Sequence, residues 1–105
     1  MTRAIDIAPE HLAQVRAILA DHLPASVEVL VFGSRARGGA KRFSDLDLAL
    51  KDVGPLDPTV MAHLVDAFEE SSLPWRVDLV DYHLLASEFL DAVRADLTVL
   101  DVGSR

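Results

Sequence analysis

Val29-Leu30-Val31-Phe32-Gly33-Ser34-Arg35-Ala36-Arg37-Gly38-Gly39-Ala40-Lys41-Arg42-Phe43-Ser44-Asp45-Leu46-Asp47-Leu48-Ala49-Leu50 reads as strand, tight turn, short helix, loop and strand. Val27 to Phe32 is almost all apolar and β-branched at several positions, the composition of a buried strand. Gly33 breaks it, lets the backbone turn sharply and leaves room for a ligand to approach the main chain. Ser34 is placed to N-cap a short helix through Arg35, Ala36 and Arg37, which Gly38-Gly39 would end. Free N–H groups at such a helix start attract an anion, typically a phosphate. Ten residues separate Ser34 from Asp45-Leu46-Asp47. Residues two apart in a strand share a face, so Asp45 and Asp47 present two carboxylates side by side while Leu46 and Leu48 face the other way. A pair of hard oxygen ligands beside a phosphate turn is what a magnesium–nucleotide site needs.

On the N-terminal side, residues 1–7 read as a loose lead-in. Pro9 suits the first turn of a helix, and Leu12, Val15, Leu19 and Leu23 form an apolar stripe at helical spacing. That helix ends near Leu23-Pro24. His11 and His22 lie on it and read as surface residues. On the C-terminal side, the strand Asp45–Leu50 runs into the turn-rich Asp52-Val53-Gly54-Pro55. Asp57-Pro58 starts a helix whose buried face is Val60, Met61, Leu64, Val65 and Phe68.

Trp75 to Asp81 is a third strand, with Val77, Leu79 and Asp81 on one face and Arg76, Asp78 and Val80 on the other. An Asp inside an apolar strand is costly without a partner or a metal, unless the strand is at an edge. Asp81, at the strand's end, reads as the cap of the following turn. Ser87 is placed to cap a last helix with Phe89, Leu90, Val93 and Leu97 inward, Thr98 to Leu100 closes as a short strand, and Val102 to Arg105 is a tail.

A length of 105 residues suits one small domain over 1–105. Half the residues are hydrophobic, which argues against disorder. No apolar run approaches the roughly 20 residues that cross a membrane, and the N-terminus lacks the apolar core of a signal peptide. Cysteine is absent, which excludes a disulfide framework and agrees with a cytoplasmic location. Net charge is −7. Arg35, Arg37, Lys41 and Arg42 fall in one acid-free stretch, and setting them aside leaves six basic against 17 acidic residues. So acidic a body disfavours direct nucleic-acid binding. The basic loop fits a nucleotide's phosphates better than a duplex. Arg35 and Arg37 are candidate phosphate contacts, and Lys41 and Arg42 read as facing solvent or a partner.

Gly33-Ser34, ten residues, then Asp45-x-Asp47 resembles the signature of the polymerase-beta-type nucleotidyltransferase superfamily. The fuller string, Gly33 to Gly38 and Ser44 to Leu48, is similar to its minimal branch, the MntA-like antitoxins of HEPN-domain (HepT-like) toxins. The resemblance implies an α/β fold, a small mixed β-sheet with helices packed against it. It implies a third carboxylate on the strand beside Asp45-x-Asp47, the position Asp78 occupies by order and context. Asp45, Asp47 and Asp78 would then be the catalytic, metal-holding set for Mg²⁺ or Mn²⁺, with Gly33, Ser34, Arg35 and Arg37 at the nucleotide's phosphates.

The activity implied is transfer of AMP from ATP to a tyrosine of a HEPN-domain toxin, which neutralises it. Larger relatives carry a helical domain that this sequence has no length to supply. A partner completing the site, or itself serving as acceptor, is therefore expected. The rival readings are an antitoxin that neutralises by binding alone, and a nucleotidyltransferase acting on a small molecule or an RNA.

Overall fold

A computed structural model describes residues 5–102 of the chain. Strand β1 (Glu28–Phe32) holds the middle of a four-stranded sheet, as its apolar composition demands. It pairs antiparallel with β2 (Leu46–Lys51) on one side and with the short β4 (Thr98–Leu100) on the other. β2 pairs in parallel with β3 (Val77–Asp81), so the strand order is β3-β2-β1-β4. A parallel pair needs a crossover. Helix α3 (Pro58–Glu69) lies within the link that makes it.

The remaining helices are α1 (Pro9–His22), the four-residue α2 (Ser34–Arg37) and α4 (Ser87–Val93). The Asp57 side chain accepts a hydrogen bond from Thr59 N at 2.8 Å, with Pro58 in the first helical position, as expected. Two expected caps sit one residue earlier. Gly33 rather than Ser34 precedes α2, and Ala86 rather than Ser87 precedes α4, neither with a side-chain bond. Strand starts differ by one or two residues from the sequence reading, and Asp45 stands just before β2.

Each face of the sheet has its own cluster. One face carries Val29, Val31, Leu46, Leu48 and Leu50 against Val15 and Leu19 of α1 and Leu64 and Phe68 of α3. Each fully buried Leu or Val stabilises the fold by about 1.5–3 kcal/mol. The other face carries Leu30, Phe32 and Ala49 under Val80, Tyr82, Leu85, Val93 and Leu97. Phe89, expected inward, stays 40% exposed and meets Phe32 edge-on at 5.7 Å. His11 is not a free surface residue but packs edge-on against Trp75.

The lead-in is fastened where the structure describes it. Asp6 N donates to Arg35 O, and the Asp6 carboxylate accepts from Ala40 N, each at 2.8 Å. Residues 1–4 and 103–105, the rest of the expected lead-in and tail, lie outside the described residues. Among the described residues, no helix is long and apolar enough to cross a membrane.

Candidate active site

Strand register brings the acids together. Phe32 pairs with Asp47, and Asp47 with Asp78, so the three stand in one row across β1, β2 and β3 on the same face. Asp45, two residues before Asp47, belongs to that face by alternation. Leu46 N donates to Arg76 O at 2.9 Å, which carries the β2–β3 pairing to the end where Asp45 stands. The row borders the apolar patch of Leu30 and Ala49, and Phe32 belongs to both. Asp81 lies elsewhere. It pairs with Leu50, faces the main core, and its buried carboxylate accepts from Leu56 N at 2.7 Å and His83 N at 3.0 Å. It is the turn cap the sequence suggested.

Gly33 follows Phe32 with φ +78°. A β-carbon there would collide with Asp47 Oδ2. Glycine is needed twice over, for the backbone conformation and for room beside the carboxylate. Ala36 N and Arg37 N both donate to Gly33 O and close the turn. The result is a bare main-chain surface against the acid row.

The electrostatics follow from the crowding. Burial pushes the Asp47 carboxyl above the usual carboxylate range, and the charges of Asp78 and then Asp45 push it further, while Arg37 pulls it back. Asp78 turns its carboxylate to Arg76 at 3.3 Å, an exposed pair of little energetic weight. Among the described residues, no three His, Asp or Glu side chains form a ready-made metal shell. The donor set nonetheless suits a hard divalent cation. It consists of carboxylate oxygens from adjacent strands whose mutual repulsion a cation would relieve.

The two arginines part company. Arg35 is 5% exposed. Its Nε and Nη2 donate to Ser44 O at 3.0 and 2.8 Å, Nη1 to Asp6 O at 2.9 Å, and the guanidinium lies over Trp75 at 4.5 Å. Burial lowers its pKa while Asp6 and Asp45 raise it. The expected phosphate contact is therefore corrected. Arg35 is bonded to carbonyls and braces the loop that delivers Asp45.

Arg37 is exposed on the acid side, ion-paired to Asp96 at 3.0 Å. Residues two apart on a helix differ by about 200° in direction, which separates the two roles. Lys41 and Arg42 are exposed, as expected. Sequence reasoning missed Asp96, which anchors Arg37, and Trp75 as the platform for Arg35. Neither pairing leaves a local pattern, since both join residues far apart in the chain.

A central antiparallel strand, a glycine turn at its end and acidic residues on the next two strands to one side, β2 and β3, are the frame of a nucleotidyl-transferring domain. Residues 12–99 match the nucleotidyltransferase domain family, and the chain belongs to it. The chain is 44% identical over 96 residues to the "Probable protein adenylyltransferase MntA" of Haemophilus influenzae, covering 91% of this chain and 83% of that protein. Among solved structures it resembles a toxin–antitoxin with AMP-PNP, at 26% identity and a TM-score of 0.69, over 93% of this chain and 76% of that one. It also resembles a tri-AMPylated Shewanella oneidensis HEPN toxin in complex with MNT antitoxin. That match has 22% identity and a TM-score of 0.63 over 88% and 70% of the two chains, a likeness of fold alone.

Proposed function

We propose that this chain, as one domain over residues 1–105, transfers AMP from ATP to a tyrosine hydroxyl of a HEPN-domain toxin and so neutralises it in the cytoplasm. The observation that carries this is the row Gly33–Asp47–Asp78, a bare turn followed by two carboxylates on successive strands, with Asp45 beside them. The name of the Haemophilus relative supplies the reaction class, and the AMP-PNP neighbour supports an adenine nucleotide.

In this reading the β- and γ-phosphates lie on the Gly33-Ser34 turn. Arg37, held by Asp96, adds positive charge on that side. Asp45, Asp47 and Asp78 would hold Mg²⁺ or Mn²⁺. Such an ion, when bound, offsets phosphate charge and lowers the pKa of the attacking hydroxyl. The chain's own part is positioning. Arg35 fixes the Asp45 loop, Gly33 clears space beside Asp47, and Asp78 marks the side from which the acceptor arrives. The tyrosine oxygen bonds to the α-phosphorus, the bridge to the β-phosphate breaks, pyrophosphate leaves and the phenolic proton passes to water.

The test is intact-mass analysis of a HEPN-domain toxin, incubated with this chain, ATP and Mg²⁺. Mass added in steps of one AMP is expected, with an Asp45→Asn, Asp47→Asn double variant at least about a thousandfold slower, some 4 kcal/mol of barrier. An unmodified partner in a tight complex would replace transfer with neutralisation by binding.

A further inference from the structure

β3 is an edge strand, paired with β2 alone. Since Leu46 N donates to Arg76 O, the alternation of a parallel ladder turns the N–H and C=O of Val77 and Leu79 away from β2. Among the described residues these outward groups pair with none. Along this edge runs a groove of about 750 Å³. Val65, Phe68 and Leu73 form its apolar floor, and Asp45 and Asp78 stand on its other wall. The groove therefore begins at the candidate catalytic acids and follows the one parallel edge the sheet leaves open.

The order across the sheet sets the direction of approach. Gly33 lies on the β1 side of Asp47 and Asp78 on the β3 side. Displacement at phosphorus is in line, with attacking and leaving oxygens on opposite sides. If pyrophosphate leaves over the Gly33 turn, the attacking hydroxyl comes from beyond Asp78, over the β3 edge. The charges agree. Glu69, Asp45 and Asp78 line the groove against the single cation Arg76, in a chain of net charge −7.

Resting on the transfer reading above, we propose that the open edge of β3 takes an extended, tyrosine-bearing segment of the acceptor protein as a fifth strand. Its tyrosine stands on the Asp78 face. The residues immediately before and after the tyrosine point to the opposite face, onto the Phe68–Leu73 floor, because side chains alternate along a strand. The segment recognised is thus a tyrosine between two apolar residues.

Val77→Pro tests this. It deletes one outward N–H at the first residue of an edge strand, where proline is tolerated. The probes are the HEPN-domain toxin of the intact-mass test and N-acetyltyrosinamide, which is too small to add a strand. The expected result is a KM for the protein at least about tenfold higher, with ATP affinity and the slow reaction of N-acetyltyrosinamide unchanged. In the wild-type complex the Val77 and Leu79 amides should become protected from hydrogen exchange.

Wild-type transfer with those amides unprotected and an unchanged KM for Val77→Pro overturns edge docking and leaves the transfer reading standing. Protected amides without transfer overturn the transfer reading and leave the docked strand standing. Protection in this chain alone, with dimerisation, gives the edge to a second copy and overturns the proposal.

Discussion

Gly33 and Asp47 act as one unit, because the first exists in its conformation to make room for the second. Gly33→Ala places a β-carbon at φ +78° and against Asp47 Oδ2, so it strains the backbone and displaces the carboxylate together. We expect a loss of about 1–3 kcal/mol, read as a lower Tm, with AMP transfer falling further than stability accounts for. Asp47→Asn should do the opposite to stability. Folding raises the Asp47 carboxyl pKa, through burial first and then Asp78 and Asp45, so the folded state disfavours the ionised form. The stability this carboxyl permits is complete below the ordinary carboxylate value near about 3.9 and is lost as pH rises through the higher folded-state value. The variant should therefore melt above the wild type at pH 7 and converge with it on acidification through the carboxylate range. The gap should be no more than a few degrees, since a partly exposed group is screened by water. Millimolar Mg²⁺ should raise the wild-type Tm and leave the variant's unmoved, because an ion that binds the folded state alone stabilises it by mass action.

Among the elements, the loop between α2 and β2 is held by the side chains of Arg35, Asp6 and Ser44, and Arg35 makes the most bonds. Arg35 reaches Ser44, Asp6 and, more weakly, Arg42 at 3.4 Å, all through backbone carbonyls, while Trp75 supports its face. Lysine keeps the charge but has neither the planar fork nor the stacking surface. Arg35→Lys should lower stability by about 2–3 kcal/mol and speed hydrogen exchange across residues 40–45, with transfer reduced through a misplaced Asp45. The sequence could not have separated Arg35 from Arg37, since both are basic residues of one motif and the distinction is a matter of helix phase. What was legible is what local physics decides: the apolar run of β1, the Asp57-Pro58 helix start and the alternation in β3. The choice between Asp78 and Asp81 became a matter of geometry only with the β2–β3 register, which pairs one with Asp47 and the other with Leu50. The caps fall one residue before the serines, on Gly33 and Ala86, neither of which makes a side-chain bond to the helix start.

Over the whole molecule, charge and topology answer the same problem. The main helices α1 and α3 cover one face of the sheet, and the smaller apolar cluster of the other face reaches the acid row at Phe32 without covering its carboxylates. Carboxylates can stand there because water, and in the proposed reaction a cation, reaches them. A net charge of −7 repels a free nucleotide as well as a nucleic acid, so the basic residues between Arg35 and Arg42 matter as a local exception to the field. Of these, Arg37, Lys41 and Arg42 are exposed and set that local field, while Arg35 is enclosed. The same acidic body should draw a basic partner by long-range attraction. Such steering acts on the encounter, whereas short-range packing governs dissociation. We therefore expect the association rate with the proposed HEPN-domain partner to fall by about tenfold or more between 50 and 500 mM NaCl, as the screening length shrinks below the size of the acidic surface, while the dissociation rate changes little. Surface-immobilised kinetics across that salt series would measure both. A salt-independent association rate would mean that the acidic surface faces away from the partner.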